Sequence, residues 1–199
     1  MNKNSKTGKL TFMGVMLALT IVFVALTAIP TTSASMALLI FLPTIVTSII
    51  QGADKARINV AAAAMGAFAG AATLIRALSA PTSPLDYLFL NPLVAILPRI
   101  FIGVVPYYVY KLLKDLIKSK TITLLIAGVS GAITNTALVI LMLYVVYSEE
   151  IVKMSAELGI GTTFAAFAIF LISTSALIES SVAGIGTAAV VNVYNKINK

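Results

Sequence analysis

The stretch Leu88–Lys114, LFLNPLVAILPRIFIGVVPYYVYKLLK, decides how the rest of the chain is read. It exceeds the roughly 20 apolar residues that a helix needs to cross the hydrocarbon core of a bilayer. Yet an arginine, Arg99, sits near its middle, directly after Pro98. A guanidinium at that depth is strongly disfavoured unless it faces protein or a water-filled cavity. Pro98 has no N–H, so the carbonyl four residues earlier, at Val94, loses its helical partner. A freed carbonyl is tolerated inside a membrane bundle only where protein or cavity water satisfies it. Pro106 is a second interior proline, so this span is expected to bend twice.

Composition extends the membrane reading to the whole chain. Hydrophobic residues make up 59% and charged residues 11% of the 199, against roughly 25% charge in a soluble domain, too few to cover a water-facing surface. Cysteine and histidine are both absent, which excludes disulfides and thiol chemistry and removes the usual zinc ligands and the commonest general base. The fold class is therefore an all-α integral membrane protein, and no metal centre is expected.

Six spans are expected in one domain covering residues 1–199: Leu10–Ile29, Met36–Gly52 (which contains Pro43), Ile58–Leu78, Pro92–Leu112, Thr121–Tyr147 and Thr162–Val191. The first begins after a lysine-bearing tail, residues 1–9, and resembles a secretory signal in its flanks. Its apolar run is longer than the about 7–15 residues of a signal's apolar region. Asn91 is placed as the N-cap of the fourth span, with Pro92 as its first helical residue. Residues 79–91 and the acidic segment 148–161 read as extracellular loops. Eleven of the fourteen lysines and arginines fall on one side: Lys3, Lys6, Lys9, Lys55, Arg57, Lys111, Lys114, Lys118, Lys120, Lys196 and Lys199. The positive-inside rule then puts both termini in the cytoplasm, and the net charge of +7 reports topology rather than a nucleic-acid partner. Tyr107, Tyr108 and Tyr110 read as anchors at the cytoplasmic interface.

Counting about 1.5 Å per residue from each span's midpoint gives approximate depths. Asn135 falls near the midplane, Glu179 within about 3–4 Å of it, Arg99 about 4–5 Å outward and Arg76 about 12 Å outward. Arg99 and Glu179 could form a structural ion pair between the fourth and sixth spans. Alternatively, Arg99 faces a cavity open to the outside and receives an anionic group, for which the guanidinium fork is suited; Glu179 could then orient it from beneath. Asn135, flanked by Thr134 and Thr136, could read a ligand or join helices. Arg76 could snorkel to the outer surface or bind.

Small residues recur at four-residue spacing: Gly14 and Ala18; Ala62, Gly66 and Gly70; Ala176, Ser180, Gly184 and Ala188. Such stripes permit close helix approach, either within the bundle or against another protein. No phosphate-cradling G-x-x-x-x-G-K-[ST] loop and no hydrolase signature is present. Two further classes remain open: a membrane enzyme acting on a lipid, with Arg99, Asp86 and Glu179 as its polar groups, and a purely structural bundle.

The run LNPLVAILPRIFIGVVPYYVYKLLK, followed by GAITNTALVILMLYVV, resembles the substrate-binding S components of energy-coupling factor (ECF) vitamin transporters, over essentially the whole chain. The resemblance implies a six-helix membrane protein of a prokaryotic cell membrane that captures one vitamin from outside. It also implies partners: a transmembrane coupling subunit and two ATPase subunits, which use the ATP, so this chain needs no cofactor of its own. Gly14-x-x-x-Ala18 resembles the family's Ala-x-x-x-Ala motif, which implies a partner-binding role for the first span. The NP…LPRI and TNT runs look most like pantothenate-type members, with cobalamin, folate or riboflavin as alternatives. Under this likeness Arg99 is expected to clamp a carboxylate and Asn135 to read an amide or hydroxyl, with Asn91, Thr134, Glu179 and Arg76 as further substrate-binding candidates. The scarcity of aromatic residues in the outward half argues against a ligand held by ring stacking.

Overall fold

The computed structural model describes residues 6–29, 39–52, 60–82 and 84–197. The expected turn 30–35, the start of the second span at Met36, the charged turn at Asp54, Lys55 and Arg57, and the terminal Lys3 and Lys199 lie outside the described residues. Helix α1 is Lys6–Leu26, α2 Leu42–Gln51 and α3 Val60–Ser79. A 3-10 turn, Pro84–Leu90, leads into a short α4, Pro92–Ala95, and then α5, Leu97–Leu113. Helix α6 is Lys120–Glu157, α7 Phe164–Leu171, and after a π-helical turn at Ile172–Ala176 comes α8, Leu177–Ile197. Among the described residues five helical stretches are long and apolar enough to cross a membrane: 7–26, 60–79, 92–113, 120–157 and 164–197. The chain is an all-α membrane protein.

The second apolar segment is the exception in length. Its described helix, α2, has ten residues, about 15 Å at 1.5 Å per residue. Pro43 sits in its first turn, where a missing N–H leaves no intrahelical bond unmade. Helices α1, α3, α5, α6 and α8 all pack on α2, and every residue from Pro43 to Ile49 is buried. A short helix wrapped by longer ones is the bundle's central post.

Close packing of the outer helices rests on the small residues. Helix α3 buries Ala62, Met65, Gly66, Ala69, Gly70 and Thr73, a stripe at three- and four-residue spacing. A β-carbon at Gly70 would lie 2.6 Å from the Ile96 α-carbon, and one at Gly66 would collide with the Arg99 carbonyl. From the facing side, Gly103 of α5 abuts the Ala62 carbonyl in the same way. Helices α6 and α8 meet likewise, with Gly128 against Ala183, Gly184 and Thr187. The stripes of the third and sixth spans are thus spent on internal packing. On α1 the pattern is reversed: Phe12, Met16, Thr20 and Val24 are buried, while Gly14 and Ala18 are exposed and Gly14 has open space beside it.

One expectation about the outer half changes. The segment expected as a loop over 148–161 is helical to Glu157, continuing α6 beyond a non-helical residue, Tyr147 (φ −133°, ψ 24°). The kink redirects the last turns so that Ile151 and Ser155 are buried. Gly159, at φ 70°, then ends the helix, and the Ile160 N–H donates to the Ser155 carbonyl, the left-handed glycine termination that a side chain would strain. Helix α5, where a bend is expected at Pro106, continues through that residue. The interruption lies at Ile96, between α4 and α5.

Candidate functional site

The interruption at Ile96 builds the site. Asn91 caps α4, its side-chain oxygen accepting from the Leu93 N–H at 2.9 Å. The Val94 carbonyl, deprived of a partner by Pro98, accepts instead from Arg99 Nη1 at 2.9 Å. The guanidinium therefore folds back over the gap that its neighbouring proline creates. Phe89 from the 3-10 turn lies with its ring centroid 5.0 Å from Arg99 Cζ, and Phe41 at the mouth of α2 at 5.9 Å. Such ring faces attract a cation most strongly where water is excluded. Arg99 is only 5% exposed, and its Nε, buried, has no hydrogen-bond partner.

Arg99 opens onto a cavity of about 360 Å³. It lies where two apolar clusters meet, one around Ile40, Phe41 and Ile45, the other around Leu88, Val139, Leu143 and Phe167. Asn135 enters from α6 on the buried stripe that includes Gly131, Ala132 and Val139, and its buried Oδ1 also lacks a partner. Glu179, half-buried on α8, lines the same cavity, as does Ser175 one turn earlier on the π-helical turn. Arg99 and Glu179 attract each other electrostatically, but among the described residues no ion pair within 4.0 Å joins them.

Arg76 also reaches the cavity, though its charge is already engaged. It neither snorkels nor stands free: Nη1 and Nη2 donate to the two carboxylate oxygens of Asp86 at 2.7 and 2.5 Å. Asp86 further accepts from the Thr82 N–H at 2.7 Å and the Thr82 hydroxyl at 3.1 Å. Burial pushes the Asp86 carboxyl up, but the Arg76 and Thr82 hydrogen bonds and the guanidinium charge outweigh that and hold it below its ordinary range. This clasp ties the 3-10 turn, and with it Phe89, to the end of α3.

Of the six substrate-binding candidates, Arg99, Asn135, Glu179 and Arg76 share the cavity, while Asn91 and Thr134 do not line it. Asn91 is occupied as a cap, and the Thr134 hydroxyl donates to the Ser130 carbonyl at 2.7 Å. Thr136, on the other side of Asn135, faces the cavity in its place. Thr73, Thr136 and Ser175 are not singled out as ligand contacts by the sequence, and Asp86 is named there only as a polar group of a lipid-acting enzyme. Thr73 and Ser175 could have been, since they precede Arg76 and Glu179 by three and four residues on helices. Phe41, Phe89 and Phe167 carry no local signal, and their presence qualifies the expected scarcity of aromatic residues. Two of the three lie over the guanidinium.

Residues 8–191 match the family model described as "ECF transporter, substrate-specific component". The chain belongs to this family. An S component is the substrate-binding subunit of a membrane transporter, rather than a member of an enzyme family, and works with an ECF module of a transmembrane coupling subunit and ATPases. A curated relative, the pantothenic acid transporter PanT of Lactococcus lactis subsp. cremoris, is 27% identical over 172 residues, 79% of this S component and 77% of the relative.

Proposed function

We propose that this S component binds pantothenate in the Arg99 cavity from outside the cell and hands it to a shared energising module. The observation that carries this is that Arg99 and Asn135, each with a buried polar atom that lacks a partner (Nε and Oδ1), line one mostly apolar cavity. Buried polar groups are ordinarily satisfied, and exceptions mark places where a ligand or water belongs. Arg99 provides charge-assisted donors for a carboxylate. Asn135 provides an acceptor for an amide N–H or hydroxyl. Pantothenate has a carboxylate, a secondary amide and two hydroxyls on a short flexible chain, and the name of the Lactococcus relative agrees with that choice. A volume of about 360 Å³ lies near the small end of the usual about 300–1,000 Å³ range for ligand pockets. That favours a compact vitamin over a corrinoid such as cobalamin.

The same reading assigns orientation and partner surface. The lysine-rich tail and connectors put both termini on the cytoplasmic side of the prokaryotic plasma membrane, with the cavity's 3-10 turn outward. Gly14 and Ala18, exposed on α1, form the smooth stripe against which the coupling subunit would pack. The test is isothermal titration of the purified protein against a panel of water-soluble vitamins. Saturable one-site binding of pantothenate alone is the expected result. Tight binding of riboflavin, folate or cobalamin with no response to pantothenate would overturn the substrate assignment.

A further inference from the structure

We infer that Glu179 is a specificity-determining residue of the cavity, accepting hydrogen bonds from the ligand's hydroxyl end and so selecting a monoanion that carries donors away from its carboxylate. The inference rests on the pantothenate reading and deepens it. Its starting point is a carboxylate without an assigned partner. Glu179 is half-buried, lines the cavity, and among the described residues hydrogen-bonds to nothing and forms no ion pair with Arg99. A charge at membrane depth in that condition is unfavourable unless something facing it supplies donors.

A ligand that enters the cavity can supply those donors. The guanidinium of Arg99 is turned toward the Val94 carbonyl and the rings of Phe89 and Phe41. Arg76 is held bidentate by Asp86. Among the described residues no lysine lines the cavity. Two of the lining hydroxyls are turned back on their own backbones, Thr73 to the Ala69 carbonyl at 2.8 Å and Thr27 to the Val24 carbonyl at 2.7 Å, and those of Thr136 and Ser175 have no bond to Glu179. The Arg76–Asp86 clasp is internally neutral, so among the described residues the cavity's remaining charges are one cation, Arg99, and one anion, Glu179. A second ligand carboxylate at Glu179 would be repelled, whereas hydroxyls there gain charge-assisted bonds.

The helix geometry prepares this role. Glu179 follows the π-helical turn Ile172–Ala176, a local widening of the helix that is frequent at functional sites. Beyond it α8 packs on α6 through Ala183, Gly184 and Thr187. Ser175 and Glu179, four residues apart and so on one face, remain on the cavity wall. The same helix thus serves packing with one stretch and the ligand with another.

The test compares three ligands on wild-type protein and on Glu179→Ala: pantothenate, panthenol (the same hydroxyls without the carboxylate) and an N-acyl-β-alanine lacking both hydroxyls. Wild type is expected to prefer pantothenate over the deoxy ligand by roughly 10- to 100-fold, the range for hydrogen bonds to a charged acceptor. Glu179→Ala is expected to remove that preference and to weaken pantothenate and panthenol by the same factor. Equal weakening of all three ligands would assign Glu179 to the fold and overturn the inference. Tighter pantothenate binding with panthenol unchanged would also overturn it, marking Glu179 as a mere like charge. If Glu179→Ala does not fold, Glu179→Gln, which keeps the shape and one acceptor, is expected to narrow the preference by a smaller factor; an unchanged preference would refute the assignment. Absence of pantothenate binding to wild type would instead bring down the vitamin reading itself, and this inference with it.

Discussion

Arg99 is bonded to the helix break and lines the cavity, and these two roles separate in a double-mutant cycle with Pro98. Arg99→Ala deletes the donor that satisfies the Val94 carbonyl. An orphaned buried acceptor costs about 1–3 kcal/mol, and for a chain of this size each kcal/mol shifts the melting temperature by about 2–4 °C. Pro98→Ala supplies a backbone N–H four residues after Val94, where an uninterrupted helix would place one. The surrounding turns are already close to helical, with the Ile96 N–H donating to the Pro92 carbonyl at 2.8 Å and the Ile100 N–H to the Ile96 carbonyl at 3.1 Å. In the Arg99→Ala background Pro98→Ala is therefore expected to restore about 0.5–1.5 kcal/mol, one net hydrogen bond.

Ligand binding should not follow. Truncating one member of a buried charge pair costs about 2 kcal/mol or more, which at 1.4 kcal/mol per tenfold is roughly a 30-fold rise in Kd. That loss belongs to the guanidinium, and a backbone N–H at residue 98 cannot replace it. The assay pairs thermal unfolding with pantothenate titration across wild type, the two single variants and the double variant. Coupling is expected in stability, with binding lost equally in Arg99→Ala and the double variant. Recovery of binding together with stability would show that Arg99 serves the ligand only by mending the helix, and the clamp would be refuted. Arg99→Lys keeps the charge without the fork and is expected to fold yet bind weakly.

Three more perturbations test the framework around the site. Gly66→Ala should lower stability by about 1–3 kcal/mol, as overpacking does, and weaken ligand binding too, because the new β-carbon collides with the Arg99 carbonyl; unfolding curves and titration report both. Gly14→Leu, by contrast, has open space and should leave melting temperature and ligand affinity unchanged while abolishing uptake in vesicles holding the complete transporter; retained uptake would remove α1 from the docking surface. Asp86→Asn should loosen the 3-10 turn and speed ligand release, measured by dissociation of labelled vitamin. Since the folded Asp86 lies below its ordinary pKa of 3.8, its stabilisation is complete above that value and lost only as pH falls through the folded one. The stability difference between wild type and Asp86→Asn is therefore expected to stay constant from pH 5 to 8.

The sequence disclosed the helices that report their own length, and it disclosed Arg99, because an arginine after a proline in an apolar run is a local contradiction that local reasoning can follow to the Val94 carbonyl. What it left open were questions of facing. Gly14 and Gly66 sit in equivalent-looking stripes, yet one stands in open space and the other against the Arg99 backbone; the spacing rule that finds both cannot tell which helix stands opposite. Thr134 and Thr136 flank Asn135 symmetrically in sequence, but about 100° per residue around a helix is enough to send one hydroxyl to its own backbone and bring the other to the cavity. The Arg76–Asp86 clasp spans ten residues and a loop, beyond any helical periodicity.

These facing relations explain why the cavity holds a strained combination of groups in one place. Helix α3 approaches α5 closely only because Gly66 and Gly70 are bare, and that approach brings the end of α3, with Arg76, over the 3-10 turn. The turn in its place sets Phe89 on the guanidinium that the Pro98 break calls back to Val94. Removing any one of these contacts frees Arg99 to seek another partner, and Glu179, electrostatically attracted and not yet in contact, stands available. The glycines, the clasp and the aromatic ring thus all bear on one thing, the position of the Arg99 guanidinium, which in this structure lies on the Val94 carbonyl and the Phe89 ring and not in an ion pair with Glu179.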